Sequence, residues 1–383
     1  MIVTFFFQHK QSDKLISFFE IDPIHVSEKI TSDEYPDIYY IILDGYANSS
    51  VLENFFGYDN KEFLDFLHTK NFFIADKSTS NYGYTYASLA SSLNMSYLDE
   101  FAEYLGPESH DLNALSYVIE NNQVQKILMN QGYSLVYFSS GYPMTNFNKH
   151  AEISFGEGLD RFSLLLLNNT MLRVFIDPTS RWRFGYSRDD EVRKRLFFTS
   201  DTLSLVPEMS KIQTPRFVVS HIVLPHEPYV FDQYGNSVKS KTTYEPDEMT
   251  MRYREQLIYL NTHVEKIVDS LLEKSEIPPI IIIQSDHGAT PAEITGEKYY
   301  KFYNFTAIHI PDSIEHTFYG SVTPVNIFRI IFNDLFETQF PILKDRVFVP
   351  ENLWYDFREV TDLVRSETAY NSLLNSEEER IDQ

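Results

Sequence analysis

The segment from Ile280 to Gly288 places a carboxylate and an imidazole side by side, directly after a run of β-branched residues. The run, Ile280 to Ile283, predicts a central strand of a parallel sheet, and ligands bind outside the carboxyl ends of such strands. Asp286 and His287 follow this strand, which is where a metal site would lie. The alternative is that Asp286 caps a following helix and that His287 is a polar loop residue.

Polar side chains also follow two other predicted strands. Asp44 ends the apolar run 36–43, and a segment from His221 to His226 follows the apolar run 216–220. Because the carboxyl ends of parallel strands meet at one edge of a sheet, we expect these groups to converge. Two carboxylates and an imidazole suit a divalent ion such as Mn²⁺, Mg²⁺ or Zn²⁺, and three protein ligands leave room for a nucleophile and a substrate.

A hydroxyl nucleophile is available in the segment 81–94. Thr85 and Ser88 lie three residues apart where a turn, 81–84, meets a predicted helix. The commoner role of a hydroxyl at such a junction is to cap the helix. The start of a helix also directs backbone N–H groups toward an anion, and a metal bound to the threonine oxygen would lower its pKa toward that of an alkoxide.

The apolar spacing along the chain alternates between strand and helix, which predicts a mostly parallel sheet covered by helices on both faces. The predicted strands cover 36–43, 72–74, 133–138, 216–220, 280–283 and 304–310, and the predicted helices cover 50–71, 85–93, 118–130, 249–274 and 322–336. Residues 140–210 are expected to form a helical excursion. It carries an apolar stretch at 162–167 and an aromatic and basic cluster at 181–184, and its apolar face would rest on the core or on lipid.

Composition excludes several classes of function. The chain has 383 residues and 43% hydrophobic content, enough for a substantial core in one large or two ordinary domains. A net charge of −23 argues against a nucleic-acid partner, and an anionic substrate would need a cation such as a bound metal. Cysteine is absent, which excludes disulfides, thiolate metal ligands and thiol nucleophiles.

The beginning of the sequence gives a separate expectation. Met1 to Phe7 is apolar but too short for a signal peptide, and the chain has no run of eighteen or more apolar residues. We expect residues 1–35 to be a lead segment, either the stub of a membrane anchor or an edge strand. The chain as given is expected to contain no complete transmembrane span.

Taken together, these motifs resemble the sulfatase-like branch of the alkaline phosphatase superfamily. The resemblance runs from 36 to about 360 and depends on Asp44 after a first strand, Thr-x-x-Ser at 85–88, Pro-His-x-Pro-Tyr at 225–229 and Asp-His-Gly at 286–288. It is closest to bacterial membrane-linked proteins related to lipoteichoic acid synthase and phosphoethanolamine transferases. The segments 253–259 and 321–329 add to this likeness.

The resemblance implies an alkaline phosphatase-like three-layer α/β sandwich, with a catalytic domain at 36–360 and an acidic tail at 361–383. It implies one divalent metal ion, Mn, Mg or Zn. By the same likeness, Asp44, Asp286 and His287 would be metal ligands, and Thr85 would be both nucleophile and fourth ligand. Ser88, His221 and His226 would contact the substrate, and His226 would protonate the leaving group. A packed core histidine is an equal alternative for His221.

The departures from the family pattern narrow the expected reaction. Neither Cys-x-Pro-x-Arg nor its serine version occurs, which disfavours a formylglycine sulfatase, and no Asp-x-x-x-His pair stands out that would bind a second metal. The resemblance then implies a two-step reaction in which Thr85 attacks a phosphorus centre and the resulting ester passes to water or an acceptor alcohol. The expected substrate is an anionic ester on a lipid or glycan.

Three alternatives remain at this stage. One is a sulfuric ester hydrolase that uses the same site. The sequence offers no cleanly placed trio of lysines or arginines that would decide between sulfate and phosphate, and no motif places the candidate cations Arg181, Arg183 and Lys301 at the site. Another is a non-catalytic relative that binds envelope polymers, and the third is a cytoplasmic binuclear mutase or phosphatase. Membrane-linked relatives place this domain outside the cytoplasm, so an extracytoplasmic, membrane-associated location is expected from the family alone.

Overall fold

A computed structural model describes residues 14–20, 35–156, 188–289, 299–351 and 354–366. The apolar start 1–7, the stretch 162–167, the cluster 181–184 and the tail beyond 366 lie outside the described residues. No helix within the described part of the chain is long and apolar enough to cross a membrane.

Seven strands of the described chain form one sheet, in the order β2-β7-β6-β1-β5-β3-β4. The neighbouring pairs from β6 to β4 are parallel, and β7 runs antiparallel to both β6 and β2. This confirms the predicted mostly parallel sheet. The strands are β1 Ile38–Leu43, β2 Phe72–Ile74, β3 Ser134–Phe138, β4 Ile153–Phe155, β5 Arg216–Ile222, β6 Ile280–Ser285 and β7 Thr306–His309, and a separate hairpin pairs β8 Phe348–Pro350 with β9 Phe357–Glu359.

Helices cover both faces of the sheet. They are α1 Ser49–Phe56, α2 Lys61–Thr69, α3 Thr85–Asn94, α4 Asp99–Leu105, α5 Leu112–Glu120, α6 Gln123–Asn130, α7 Arg188–Leu203, α8 Pro246–Lys274, α9 Pro324–Phe336 and α10 Thr361–Arg365.

Two of the predicted helices are each interrupted. The segment 50–71 breaks at Gly57, which adopts φ 57° and ends α1 in the left-handed conformation that glycine accepts without a steric cost. The segment 118–130 breaks before Asn122, whose side chain accepts a hydrogen bond from the backbone N–H of Gln125 and thereby caps α6. Apolar periodicity continues across both breaks, which is why spacing alone predicted single helices.

Alternating side chains of the central strand divide between the two layers of the core. Ile38, Tyr40 and Ile42 of β1 pack with apolar residues of α3, α5, α6 and α9. Tyr39, Ile41 and Leu43 pack with those of α1, α2, α7 and α8. Because both faces of this strand are buried, its sequence is apolar throughout rather than alternating. The fold is the expected three-layer α/β sandwich.

A helical turn before the predicted domain also joins the core. Leu15 and Phe19 are buried, and the ring of Phe19 lies 5.4 Å from that of Phe101 on α4.

Candidate metal centre

The register of three adjacent strands places Asp44, Asp286 and the histidine of β5 at the same edge of the sheet. Leu43 at the end of β1 pairs with Ser285 of β6 on one side and with Ile222 of β5 on the other. The next residues along β1 and β6 are Asp44 and Asp286, which therefore leave the sheet side by side. The predicted convergence of strand ends is confirmed for these strands.

Asp44, Asp286 and His287 form a buried cluster whose ligand atoms all lie within 4.8 Å of one another. His287 Nε2 is 3.7 Å from Asp44 Oδ1 and 3.5 Å from Asp286 Oδ2. Within the described chain, neither of these two carboxylate oxygens has a hydrogen-bond partner, although each is buried. A buried, unpaired carboxylate oxygen is costly, and coordination of a cation would remove that cost. The donor set fits a divalent metal ion.

Backbone groups fix Asp286 in its orientation. Its Oδ1 accepts hydrogen bonds from the backbone N–H of Gly45 at 3.1 Å and of His287 at 2.9 Å. The Ser285 hydroxyl accepts from the N–H of Tyr46 at 2.8 Å and donates to the carbonyl of His287. Oδ1 is thus used in holding the loop, and Oδ2 is left to face the cluster. Asp286 therefore links the loops that follow β1 and β6, and it does not take the helix-cap role that was its alternative interpretation.

The loop after β6 orients the imidazole of His287. Nδ1 lies 2.8 Å from the carbonyl of Gly288, which assigns the proton to Nδ1 and leaves the lone pair of Nε2 for the cluster. Gly288 lies so close to the backbone of Tyr303 that a Cβ there would be 2.5 Å from its carbonyl oxygen. A larger residue at 288 would therefore displace the loop that carries His287.

Thr85 is the first residue of α3, and its side chain is buried. The cap position belongs to Tyr84, whose side chain makes no capping hydrogen bond, so the hydroxyl of Thr85 does not take the N-cap role that was its simplest explanation. One turn later, the Ser88 hydroxyl donates a 2.5 Å hydrogen bond to the carbonyl of Asp286. This bond ties the start of α3 to the loop that carries the metal-ligand candidates.

His221 and His226 lie on either side of the segment that follows β5. His221 is buried, with Nδ1 2.7 Å from the Thr145 hydroxyl and Nε2 3.4 Å from Asp44 Oδ2. His226 is exposed, its backbone N–H donates to the carbonyl of Asp44, and its Nδ1 lies 2.8 Å from the carbonyl of Glu227. The structure therefore brings both predicted histidines to Asp44.

Charge coupling shifts the pKa values of Asp44 and His226 in opposite directions. Burial alone would raise the pKa of Asp44, but interactions with His221, His226 and His287 outweigh it and lower that pKa. Burial alone would lower the pKa of His226, but the Asp44 carboxylate and the Glu227 carbonyl outweigh it and raise that pKa. The nearby histidines thus favour the ionised form of Asp44, and the Asp44 carboxylate in turn favours the protonated form of His226.

Tyr142 is a site residue that the sequence reasoning missed. Its ring packs edge-on against His221 with centroids 5.9 Å apart and lies 5.5 Å from the ring of Tyr86, the residue after Thr85. Burial raises the pKa of Tyr142, so its phenol is a hydrogen-bond donor. The sequence could have indicated Tyr142, because it lies in the loop after β3, another parallel strand that ends at the same edge of the sheet.

Of the three cations considered from the sequence, Lys301 lies near the turn that precedes Thr85. Lys301 crosses over Gly83, two residues before Thr85, and its Nζ lies 5.7 Å from the ring centroid of Tyr84. Burial lowers the pKa of Lys301. Arg181 and Arg183 lie outside the described residues.

His309 is far from the metal-ligand candidates. The antiparallel direction of β7 pairs His309 with Ile281 near the start of β6, and His309 Nδ1 lies 2.9 Å from the carbonyl of Pro279. His309 is therefore a packed histidine at the opposite end of the sheet from Asp286.

Comparison with solved structures gives the same architecture. The C-terminal periplasmic domain of EcEptC from Escherichia coli, in complex with Zn, is similar with a TM-score of 0.55 and 11% identity, covering 91% of this chain and 98% of that chain. The soluble domain of lipooligosaccharide phosphoethanolamine transferase A from Neisseria meningitidis gives a TM-score of 0.51 at 11% identity, covering 82% and 92%. A Bacteroides thetaiotaomicron structure described with the metabolism of multiple glycosaminoglycans gives 0.53 at 11% identity, covering 85% and 84%. At these identities the likeness concerns the fold.

Sequence comparison assigns the family. A search of curated proteins found no match. The family model described as Sulfatase matches residues 36–311, a range that contains Asp44, Thr85, the histidines of the β5 segment and the pair after β6. The chain belongs to the sulfatase family, in the sulfatase-like branch of the alkaline phosphatase superfamily.

Proposed function

We propose that the protein is a metal-dependent phosphotransferase or phosphodiesterase that acts on phosphodiester headgroups through a covalent ester on Thr85. The observation that carries this proposal is the pair of buried, unpaired oxygens on Asp44 and Asp286, which face His287 beside the start of α3. Asp44, Asp286 and His287 would hold one divalent ion, with Thr85 as its fourth ligand. When bound, the ion would supply positive charge that lowers the pKa of a hydroxyl and neutralises the anionic substrate.

Thr85 would act as the nucleophile. As its alkoxide, with its proton already lost to solvent, Thr85 Oγ1 forms a bond to phosphorus while the bond from phosphorus to the leaving oxygen breaks. His226, exposed and with a raised pKa, would give its proton to that oxygen so that the leaving group departs as an alcohol. Water or an acceptor alcohol would then break the bond between phosphorus and Thr85 and return the proton to His226.

Other residues of the site would position these groups. Ser88 holds α3 against the Asp286 loop, and His221 lies between Thr145 and Asp44, so both are proposed to align the reacting groups as well as to border the substrate. Lys301, whose side chain crosses the turn before Thr85, is proposed to offset negative charge on the substrate. In a chain of net charge −23, such local positive charge would be needed to bind an anion.

The substrate and the location are proposed by likeness. The similar structures include a lipooligosaccharide phosphoethanolamine transferase and a protein described with glycosaminoglycan metabolism, and we propose an anionic ester carried by a lipid or glycan. Because the E. coli neighbour is a periplasmic domain, we also propose an extracytoplasmic location with association to a membrane. The zinc in that neighbour makes zinc a candidate beside manganese and magnesium.

A sulfuric ester hydrolase is the second candidate, since the family model that matches is described as Sulfatase. The absence of cysteine and of Ser-x-Pro-x-Arg argues against the formylglycine form of that reaction.

The test compares bis-p-nitrophenyl phosphate, p-nitrophenyl phosphate and p-nitrophenyl sulfate with the full chain loaded separately with Mn²⁺, Zn²⁺ and Mg²⁺. We expect the diester to be the best substrate, and acid quenching should trap a peptide in which Thr85 carries a p-nitrophenyl phosphoryl group. Thr85→Ala should abolish turnover and the modified peptide, whereas Thr338→Ala, which changes a buried threonine beyond the end of α9, should retain both. Turnover of the diester by Thr85→Ala would refute the proposal, and turnover of the sulfate alone would replace it with the second candidate.

A further inference from the structure

The position of the His226 ring, which would protonate the leaving group, depends on the backbone that carries it. The side chain is exposed, and in the described chain it makes one hydrogen bond, from Nδ1 to the carbonyl of the next residue, Glu227, at 2.8 Å. A bond to the adjacent residue orients the ring but does not anchor the segment. The distance from His226 to Asp44 and His287 is therefore set by whatever holds the segment 225–230.

One side of this segment packs against the metal-ligand candidates. The backbone N–H of His226 donates to the carbonyl of Asp44 at 3.1 Å. Gly45 lies between two imidazole rings, because a Cβ built there would be 3.9 Å from His226 Cδ2 and 3.7 Å from His287 Cε1. Both histidines border a cavity of about 220 Å³, which gives a departing group room beside the His226 ring.

The side chain of Gln256, which is fully buried on α8, holds the other side of the segment. Its Nε2 is 3.1 Å from the carbonyl oxygens of Pro225 and His226. The same nitrogen is 3.4 Å from the carbonyl oxygen of Pro228, and Oε1 accepts from the N–H of Val230 at 2.8 Å. One amide therefore bonds to backbone groups on both sides of the His226 ring.

This arrangement needs a side chain that both donates and accepts. The segment lies outside the strands and helices, so its buried backbone groups need partners from elsewhere in the chain. An amide offers two N–H donors and a carbonyl acceptor. Methionine, of similar length, would leave the carbonyls and the N–H without these bonds, and glutamate would place a second oxygen against the carbonyls. Because unpaired buried polar groups are costly, either change should move the segment.

Tyr253, three residues earlier on α8, holds the loop after β1. Its hydroxyl donates to the carbonyl of Gly45 at 2.9 Å and accepts from the N–H of Ala47 at 3.1 Å. The same helix thus fixes the loop after β1 and the segment after β5. It thereby sets the place of His226 relative to Asp44.

We propose that Gln256 is a positioning residue for the reaction, and that its amide sets the backbone of 225–230 so that the His226 ring reaches the leaving oxygen. Gln256 is buried behind the segment and acts through it. This inference rests on the proposed function and specifies how the fold places the general acid. A displacement of about 1 Å can cost about 100-fold in rate, so the effect should be measurable.

The test uses methyl p-nitrophenyl phosphate and methyl phenyl phosphate with the full chain, loaded with the metal that gives the highest turnover. p-Nitrophenol leaves readily as its anion, whereas phenol depends more on receiving a proton. Gln256→Met should lower kcat/KM by about 100-fold for the phenyl ester and by less than about tenfold for the p-nitrophenyl ester. His226→Ala should give the same pattern. Adding Gln256→Met to His226→Ala should change the ratio of the two kcat/KM values no further.

Two control variants separate positioning from a general loss of activity. Gln125→Met makes the same change at a buried glutamine whose amide bonds to Glu120 and Asn148, and it should keep the ratio of the unmodified chain. Tyr253→Phe loosens the loop after β1 and should lower kcat/KM equally for both esters. Gln256→Glu, which keeps an oxygen for the N–H of Val230, should lose the phenyl ester selectively as Gln256→Met does.

The outcomes distinguish this inference from the proposed function. Failure of the unmodified chain to hydrolyse either ester would refute the proposed function, and equal losses on both esters in His226→Ala would refute His226 as the acid; the inference would fail with either. A selective loss in His226→Ala together with equal losses, or an unchanged ratio, in the Gln256 variants would refute the inference alone. Thermal unfolding establishes that each variant compared is folded.

Discussion

Replacing Asp286 with asparagine should leave the metal-free protein at least as stable as the unmodified chain and should remove most of the stabilisation that a bound metal gives. In the structure, Asp286 Oδ1 accepts from the backbone N–H groups of Gly45 and His287, while Oδ2 is unpaired among the described residues. Asparagine keeps the accepting oxygen and replaces the unpaired oxygen with an uncharged amide. The loop should therefore keep its shape while one metal-ligand charge is lost.

The expected changes in stability follow from the charges in the cluster of Asp44, Asp286 and His287. In the metal-free protein, Asp44 and Asp286 are like charges whose ligand atoms lie within 4.8 Å, and at an effective dielectric constant of about 20 their repulsion is about 3.5 kcal/mol. Asp286→Asn removes this repulsion, so the metal-free variant should be at least as stable as the metal-free unmodified chain. At a metal concentration of about 1,000 times Kd, binding stabilises the unmodified chain by about 4 kcal/mol, and the variant should lose most of this gain.

Thermal unfolding with chelator and with a titration of Mn²⁺ or Zn²⁺ measures both effects. For a domain of this size, roughly 2 °C of Tm corresponds to each kcal/mol, so the unmodified chain should gain roughly 8 °C at saturating metal. Asp345→Asn is the control. Asp345 accepts hydrogen bonds from Tyr319 and Thr323 away from the metal centre, so this variant should lose stability equally in both conditions. An equal metal-induced rise in Asp286→Asn and the unmodified chain would refute Asp286 as a ligand, and a large loss of stability in chelator would show that the carboxylate is structural.

Three further predictions concern pH, packing and the loop after β6. Burial and the nearby Lys266 charge lower the pKa of His263, so the folded protein favours the neutral ring. The stability that this neutral ring contributes is present above the unfolded pKa of about 6.5 and is lost as the pH falls below that value. The decrease in Tm between about pH 7.5 and pH 5 should consequently be smaller in His263→Gln, and an identical pH profile would contradict this account. Leu260 is fully buried on α8, so Leu260→Ala should reduce the free energy of unfolding by about 2–5 kcal/mol in urea titrations, where a loss below about 1 kcal/mol would contradict the packing. Gly288→Ala should cost about 1–3 kcal/mol through the clash with the Tyr303 carbonyl and should weaken metal binding measured by calorimetry, whereas unchanged metal affinity would show that the loop adjusts without moving its ligand.

Much of the site could be predicted because its main residues follow apolar runs. A strand buried on both faces must be apolar along its whole length, so the first polar residue after it marks the edge of the sheet. Asp44 and Asp286 could be located in this way, and the prediction that they converge was confirmed. The position of the first polar residue after each apolar strand therefore identified the candidate metal ligands.

Contacts between distant segments could not be predicted in the same way. The bond from Ser88 to the Asp286 carbonyl joins residues 198 apart in sequence, and the ring contact of Tyr142 with His221 joins the loop after β3 to β5. The direction of β7, which removes His309 from the site, also depends on pairing across the sheet.

The sequence by itself determined the layered α/β class, the strand ends that carry Asp44, Asp286 and His287, and the absence of cysteine chemistry. These are local properties, because apolar periodicity and residue type are present in the chain before it folds. Only the tertiary structure decided which oxygens of the two carboxylates are left unpaired, and which segments close around them as cavities. Those properties depend on the register of β1 against β5 and β6 and on the packing of α3 and α7, which no single segment encodes.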